Sequence, residues 1–210
     1  MPETTKQPDA FKVNSLKNLD EACPVHGHVV WDPARSLWNT LMFGGALLLG
    51  PMFFTWDAFA VFLATAAITL CAGHSVGFHR RLIHQSFECP KWLERLLVWC
   101  GTAVGMGGPL WTIRLHDFRD RAQRQKDCHP FLRHEKGLLM DGILYLHGKL
   151  KLDNPPSFDP GPGIADDPFY HFLDRTWMAH QIPVAVVLFA LGGWSWVVWG
   201  VFVASPPAQP

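Results

Sequence analysis

Three histidines recur at intervals of five residues in the stretch GHSVGFHRRLIHQSF, as His74, His79 and His84. Neutral imidazole binds iron, zinc and copper, and a site made only of histidines favours transition metals over calcium or magnesium. On an ideal α-helix, side chains five positions apart diverge by about 140°, because each turn holds about 3.6 residues. His79 and His84 therefore need a bent last turn, or ligands from neighbouring helices, to converge on one metal ion.

The surroundings of these histidines favour a functional site. They follow one of the most apolar runs of the chain, and ionisable side chains at membrane depth are functional candidates by default. The alternative is that the histidines face lipid headgroups and water. His74 lies one turn deeper than His79, and we expect it to be packed or hydrogen-bonded between helices.

Three apolar runs are long enough to cross a bilayer: residues 37–56, 58–78 and 177–204. Only Asp57 separates the first two, which predicts a tight helical hairpin. The stretch 91–108 mixes polar and apolar residues, as a helix on the membrane surface does, and Gly107, Gly108 and Pro109 predict its end. A buried helical pair in a soluble protein is the alternative explanation of the first two runs.

These elements predict an all-α integral membrane protein with five parts. They are a cytosolic N-terminal segment (1–36), a transmembrane helical hairpin (37–78), a cytosolic histidine-containing region with an interfacial helix (79–176), a third transmembrane helix (177–204) and a tail (205–210). Residues 77–175 hold fourteen of the eighteen Lys and Arg residues. The positive-inside rule therefore predicts that this region and the N-terminus are cytoplasmic, with the tail on the far side.

The composition excludes some function classes and narrows the setting. The net charge is +0 with histidines neutral, which argues against nucleic acid as a partner, because nucleic-acid binders usually carry a basic excess. The five cysteines are dispersed without a C-x-x-C pair, which indicates reduced thiols and not a disulfide framework. The polar start MPETTKQPDA has no signal-peptide pattern.

The motif GFHRRLIH, placed after two apolar spans, resembles the first histidine box of the membrane fatty acid desaturases. The closest group is the acyl-CoA, or delta-9 type, desaturases. In that family an H-x4-H box and two H-x2-H-H boxes hold two irons, which activate dioxygen to remove hydrogens from an acyl chain. The resemblance implies His79 and His84 as iron ligands, and the weaker echo RLHDFRD adds His116. It also implies a lipid bilayer, an acyl-CoA or acyl-lipid substrate and an electron-donor protein as partners.

The chain departs from the family pattern at the second and third boxes. Phe118, Arg121 and Ala122 stand where the second box would place histidines, and none of these side chains ligates iron. His116, His129 or His134 are the candidates to replace those ligands, and a salt-bridged cytosolic surface is the alternative for this charged stretch. No H-x2-H-H occurs, and the fourth span and histidine-rich end of the family are missing, so we expect a C-terminally shortened desaturase-like chain.

The resemblance predicts an O2-dependent oxidoreductase that places a double bond in an acyl chain. Two alternatives remain open at this point. One is a non-catalytic membrane protein derived from a desaturase, which the altered boxes favour. The other is a membrane hydroxylase, because hydroxylases share the same histidine-box chemistry.

Overall fold

Residues 15–18, 25–125, 127–133 and 137–205 are described in the computed structural model of the protein, and most of them are helical. The helices in chain order are α1 (Pro33–Met52), α2 (Trp56–Ala66), a first π-helix (Ala67–Ile83), α3 (Lys91–Ala103), α4 (Pro109–Gln123), α5 (Pro130–Arg133), α6 (Leu138–His147), α7 (Pro168–Thr176), a 3-10 helix (Trp177–His180), α8 (Gln181–Val197) and a second π-helix (Val198–Val203). The strands are β1 (Leu16–Lys17), β2 (Gly27–Trp31), β3 (Gly148–Leu152) and β4 (Ser157–Phe158).

The strands correct the all-α prediction. They form two antiparallel pairs, β1 with β4 and β2 with β3. The β2–β3 pair joins the start of the chain to the segment after α6, with Trp31 opposite Gly148. Val29 and Val30 suit this pairing, because β-branched side chains fit a pleated surface. Val29 of β2 and Leu150 of β3 pack against a hydrophobic cluster that includes Ala122 of α4 and Leu132 of α5.

The predicted join between the first two apolar runs lies at Phe53–Thr55. Thr55 caps α2, since its side-chain oxygen accepts a hydrogen bond from the N–H of Ala58 at 3.3 Å. Among the described residues, two helical stretches have the length and composition to cross a membrane, Trp56–Ile83 and Pro168–Val203. The first includes α2 and the first π-helix, so the apolar helix runs without interruption into the histidine motif.

The third apolar run (177–204) is not one continuous helix, because the chain turns back at Gly193, and its placement across a membrane stays a prediction. This residue adopts φ 66° and ψ −155°, which is not helical. Gln181 Nε2 donates a hydrogen bond at 2.5 Å to the Oγ of Ser205, which lies twenty-four residues later in the sequence. Each arm of this hairpin has about twelve residues and is about 18 Å long, short of the roughly 30 Å hydrocarbon core. Ser205 consequently lies beside the start of α8.

The returning arm packs against both α1 and α2. A Cβ at Gly45 would lie 2.5 Å from the ring of Phe202, and a Cβ at Gly200 would lie 2.5 Å from Leu188. The indole N–H of Trp199 donates to the carbonyl of Gly50 at 3.1 Å. The small residues of these apolar runs therefore allow the return arm to pack closely against its neighbours.

Glycines also hold α3 against the first π-helix. A Cβ at Gly73 would lie 2.3 Å from the backbone nitrogen of Gly101, and a Cβ at Gly77 would lie 2.7 Å from the carbonyl oxygen of Leu97. Only glycine, which has no Cβ, allows the two backbones to approach this closely. α3 ends at Ala103, inside the predicted interfacial stretch 91–108, and its Trp92 is 67% exposed. Its placement on the membrane surface stays a prediction.

Candidate metal centre

The first π-helix aligns His79 with His84. In this helix each N–H bonds to the carbonyl five residues earlier, so residues five apart lie one turn apart on nearly the same face. The N–H of His84 donates to the carbonyl of His79 at 3.0 Å. The divergence expected for an ideal α-helix is therefore removed by a change of helix type along the whole segment Ala67–Ile83, and not by a bend in its last turn.

His116 reaches the same place from α4. Its ring centroid lies 5.2 Å from that of His79 and 5.3 Å from that of His84. One ligand nitrogen from each of the three histidines lies within 4.8 Å of the others. His79 and His84 are exposed and His116 is half-buried, so the cluster opens towards solvent.

The spacing of the nitrogens suits one metal ion. The Nε2 atoms of His79 and His84 are 3.2 Å apart. Two nitrogens bound at about 2.1 Å to one ion lie about 2.9 to 3.4 Å apart in octahedral or tetrahedral geometry. A donor set of imidazoles also fits iron, zinc or copper chemically. The residues present therefore fit a transition-metal ion.

Asp117 lies behind His116 and is a functional candidate that the sequence analysis missed. Its Oδ1 is 3.4 Å from His116 Nδ1, while its Oδ2 accepts hydrogen bonds from the hydroxyl and from the N–H of Ser15. A proton on Nδ1 leaves Nε2 free to bind metal, as in other metal sites where a carboxylate orients a histidine. Burial favours the neutral acid, but these hydrogen bonds outweigh it and lower the pKa of Asp117. The adjacent pair His116-Asp117 is the feature of the sequence that could have identified this residue.

The second-box positions have a structural explanation. Phe118 and Ala122 pack in a hydrophobic cluster with Phe131 and Leu132 of α5, on the side of α4 that faces α5 and α6. His129 lies at the start of α5, where its Nδ1 accepts a hydrogen bond from the N–H of Phe131 at 3.2 Å. His129 is not part of the three-histidine group, and His134 lies outside the described residues. Of the three replacement candidates, the structure brings His116 to the first box.

A cavity of about 340 Å³ lies next to the histidine cluster. His79 and His116 line it, and so does His74, which the sequence analysis excluded from the site. Asp120 and Arg119 of α4 stand on its wall. The cavity gives a ligand or substrate access to the imidazoles.

An ion-pair network lies beneath the histidine motif. Glu94 of α3 is only 3% exposed, yet it pairs with Arg81 at 2.5 Å and with Lys91 at 2.6 Å. It also accepts a hydrogen bond from the hydroxyl of Tyr170, and Lys91 reaches Asp167 at 3.1 Å. Because Arg81 lies between His79 and His84 in sequence, Glu94 ties the histidine motif to α3 and α7.

Opposing effects set the pKa values in this network. Burial would raise the pKa of Glu94, but hydrogen bonds from Lys91 and Tyr170 and the charge of Arg81 outweigh it and lower that pKa. Burial would lower the pKa of Lys91, but its hydrogen bonds raise it. Both groups are therefore held in their charged forms. The sequence analysis missed Glu94, because a glutamate in the first turn of a helix is usually solvated.

Apolar helices of membrane-spanning length that end in a cluster of imidazoles define a membrane protein with a candidate histidine metal centre. The chain is 41% identical over 175 residues to an sn-1 stearoyl-lipid 9-desaturase of Anabaena variabilis, which covers 78% of the chain and 61% of that relative. It is 33% identical over 176 residues to an sn-2 palmitoyl-lipid 9-desaturase of Nostoc, which covers 79% of the chain and 60% of the relative. The identity to an acyl-CoA 5-desaturase of Anemone leveillei is 27% over 202 residues, with 94% and 62% covered.

The chain belongs to the fatty acid desaturase family. It spans about three fifths of the length of these three relatives. No family model and no solved structure matches it. The resemblance seen in the first histidine box is therefore confirmed at the level of the family.

Proposed function

We propose that this chain is a desaturase-type membrane oxidoreductase that introduces a double bond into an acyl chain at a histidine-bound iron site. One observation carries the proposal: in a member of the desaturase family, His79, His84 and His116 converge within 4.8 Å. Iron bound there would activate dioxygen, and the family generally uses two irons. The reaction removes two hydrogens from a CH2–CH2 pair and reduces O2 to two waters, with two electrons from a donor protein and two protons from solvent.

The residues at this site would have distinct roles in binding and positioning the metal. His79, His84 and His116 would bind iron through neutral imidazole nitrogens. Asp117 would hold His116 in the tautomer that leaves Nε2 free. Glu94 would fix Arg81, and with it the end of the π-helix on which two of the ligands stand.

The acyl substrate would lie in the space beside the cluster. A second cavity of about 470 Å³ shares Trp111, Leu115 and Arg119 with the histidine-lined cavity. Its walls combine apolar side chains with the cations Arg35 and Lys149. An apolar cavity with a few polar groups is what a molecule with a hydrocarbon chain and a polar head requires.

The orientation proposed from the sequence places the N-terminus and the histidine region in the cytoplasm. The excess of Lys and Arg in residues 77–175 supports it. The same basic surface suits an acidic electron-donor protein, since complementary charge speeds encounter.

The test combines iron content with product analysis. The chain is expressed in a host whose membranes lack the expected product, and its acyl chains are analysed as methyl esters by gas chromatography and mass spectrometry. We expect iron in the purified protein and new monounsaturated chains, both lost in His79→Ala and His116→Ala. The control His171→Ala changes an exposed histidine whose ring bonds to the carbonyl of Ala165. Iron without product would refute the activity, and hydroxylated chains would establish the hydroxylase alternative.

A further inference from the structure

His74 is a polar side chain that the fold leaves without a polar partner. It stands five residues before His79 on the first π-helix, so the helix type that aligns His79 with His84 also places His74 on nearly the same face. Its ring is half-buried and contacts Phe78, with 6.0 Å between the centroids. Within the described part of the chain, neither of its ring nitrogens has a hydrogen-bond partner.

His74 lies on the wall of the cavity beside the histidine cluster. His74 lines the same 340 Å³ cavity as His79 and His116, and the carboxylate of Asp120 stands on its wall. An imidazole held in this way beside other imidazoles gains a partner when a transition-metal ion enters, because neutral imidazole is a good ligand for such ions.

We infer that His74 is a further metal ligand, and that it binds an ion held in the cavity it shares with His79 and His116. This inference rests on the proposed function, because it concerns the same metal centre. His74 lies outside the H-x4-H box, so the chain would gain a donor where the box pattern has none. Its place one turn deeper puts the extra ligand on the inner side of the cluster.

Cobalt binding tests the inference without any assay of activity. The full chain is purified in detergent, stripped of metal and titrated with Co2+ while its absorption spectrum is recorded. We expect His74→Ala to weaken Co2+ binding by at least about tenfold, the lower end of the effect known even for outer-sphere partners of metal ligands. His171→Ala serves as the control and should bind as the unsubstituted chain does.

A cysteine variant supplies a signal that a merely structural role does not produce. In His74→Cys the thiol is a potential ligand, and a thiolate bound to Co2+ gives an intense charge-transfer band. We expect this band in the difference spectrum against the unsubstituted chain, together with Co2+ binding stronger than in His74→Ala. The band appears only if position 74 reaches the ion in a folded site, so it separates ligation from loss of structure.

The outcomes distinguish this inference from the proposed function. Unchanged Co2+ affinity in His74→Ala, no band in His74→Cys and lost binding in His79→Ala would overturn the role of His74 and leave the three-histidine site standing. An unsubstituted chain that binds no Co2+ would overturn both.

Discussion

Replacing Glu94 with alanine would remove the acceptor at the centre of the ion-pair network. Three donors lose this acceptor: Arg81, the Tyr170 hydroxyl and Lys91, which keeps its ion pair with Asp167. Breaking a buried ion pair costs about 3 to 5 kcal/mol, because the remaining charge stays desolvated. The Lys91 side chain is 48% exposed and regains water, whereas that of Arg81 is only 22% exposed. We therefore expect the lower end, a loss of about 3 kcal/mol in the free energy of unfolding.

Thermal unfolding of the detergent-purified protein measures this loss. For a chain of this length, 1 kcal/mol corresponds to about 2 to 4 °C, so Glu94→Ala should lower the Tm by about 6 to 12 °C. Glu94→Gln keeps an acceptor for Tyr170 and should lose about 1 to 2 kcal/mol. The matched control is Glu88→Ala, because Glu88 is exposed. A Tm for Glu94→Ala equal to that of the control would show that the network does not stabilise the fold.

Three further predictions concern the same elements. Gly77→Ala should lower the free energy of unfolding by about 1 to 3 kcal/mol and reduce bound iron, because its Cβ would lie 2.7 Å from a carbonyl oxygen of α3. Gly44→Ala is the control: a Cβ there meets open space, so neither Tm nor iron content should fall. The pKa values of Glu94 and Asp167 are lowered in the folded state, so their contribution to stability should be present above the unfolded-state pKa of about 4. It should be lost as the pH falls below that value, and a series of Tm measurements against pH tests this. Gly193→Ala should lower the stability by about 1 to 3 kcal/mol in the same unfolding assay, because φ 66° with ψ −155° is a region that essentially only glycine adopts.

The sequence predicted which histidines cluster better than it predicted how they come together. Residue type and spacing identified His79 and His84, and the resemblance added His116. The convergence of the first pair depends on helix type, and apolar periodicity does not distinguish an α-helix from a π-helix. The packing of Gly73 and Gly77 against α3 joins residues that are about twenty to thirty positions apart, which local spacing does not reveal.

The third apolar run shows why length and hydropathy were insufficient. Residues 177–204 satisfy the criteria of a span, yet the pair Gly192-Gly193 allows the chain to turn back. The returning arm is as apolar as the outgoing one, so composition carries no mark of the reversal. The strand pair β2–β3 was missed for a related reason, since its partners lie more than a hundred residues apart.

The reversal at Gly193 determines whether the chain crosses the membrane an odd or an even number of times. Because Ser205 returns to Gln181, the hairpin contributes an even number of passages, so these two residues lie on the same side of any membrane that the chain crosses. A glycosylation acceptor or a reporter enzyme fused after Ser205 should therefore score on the same side as one inserted between α4 and α5. Such fusions read sidedness directly, and scores on opposite sides would refute this reasoning.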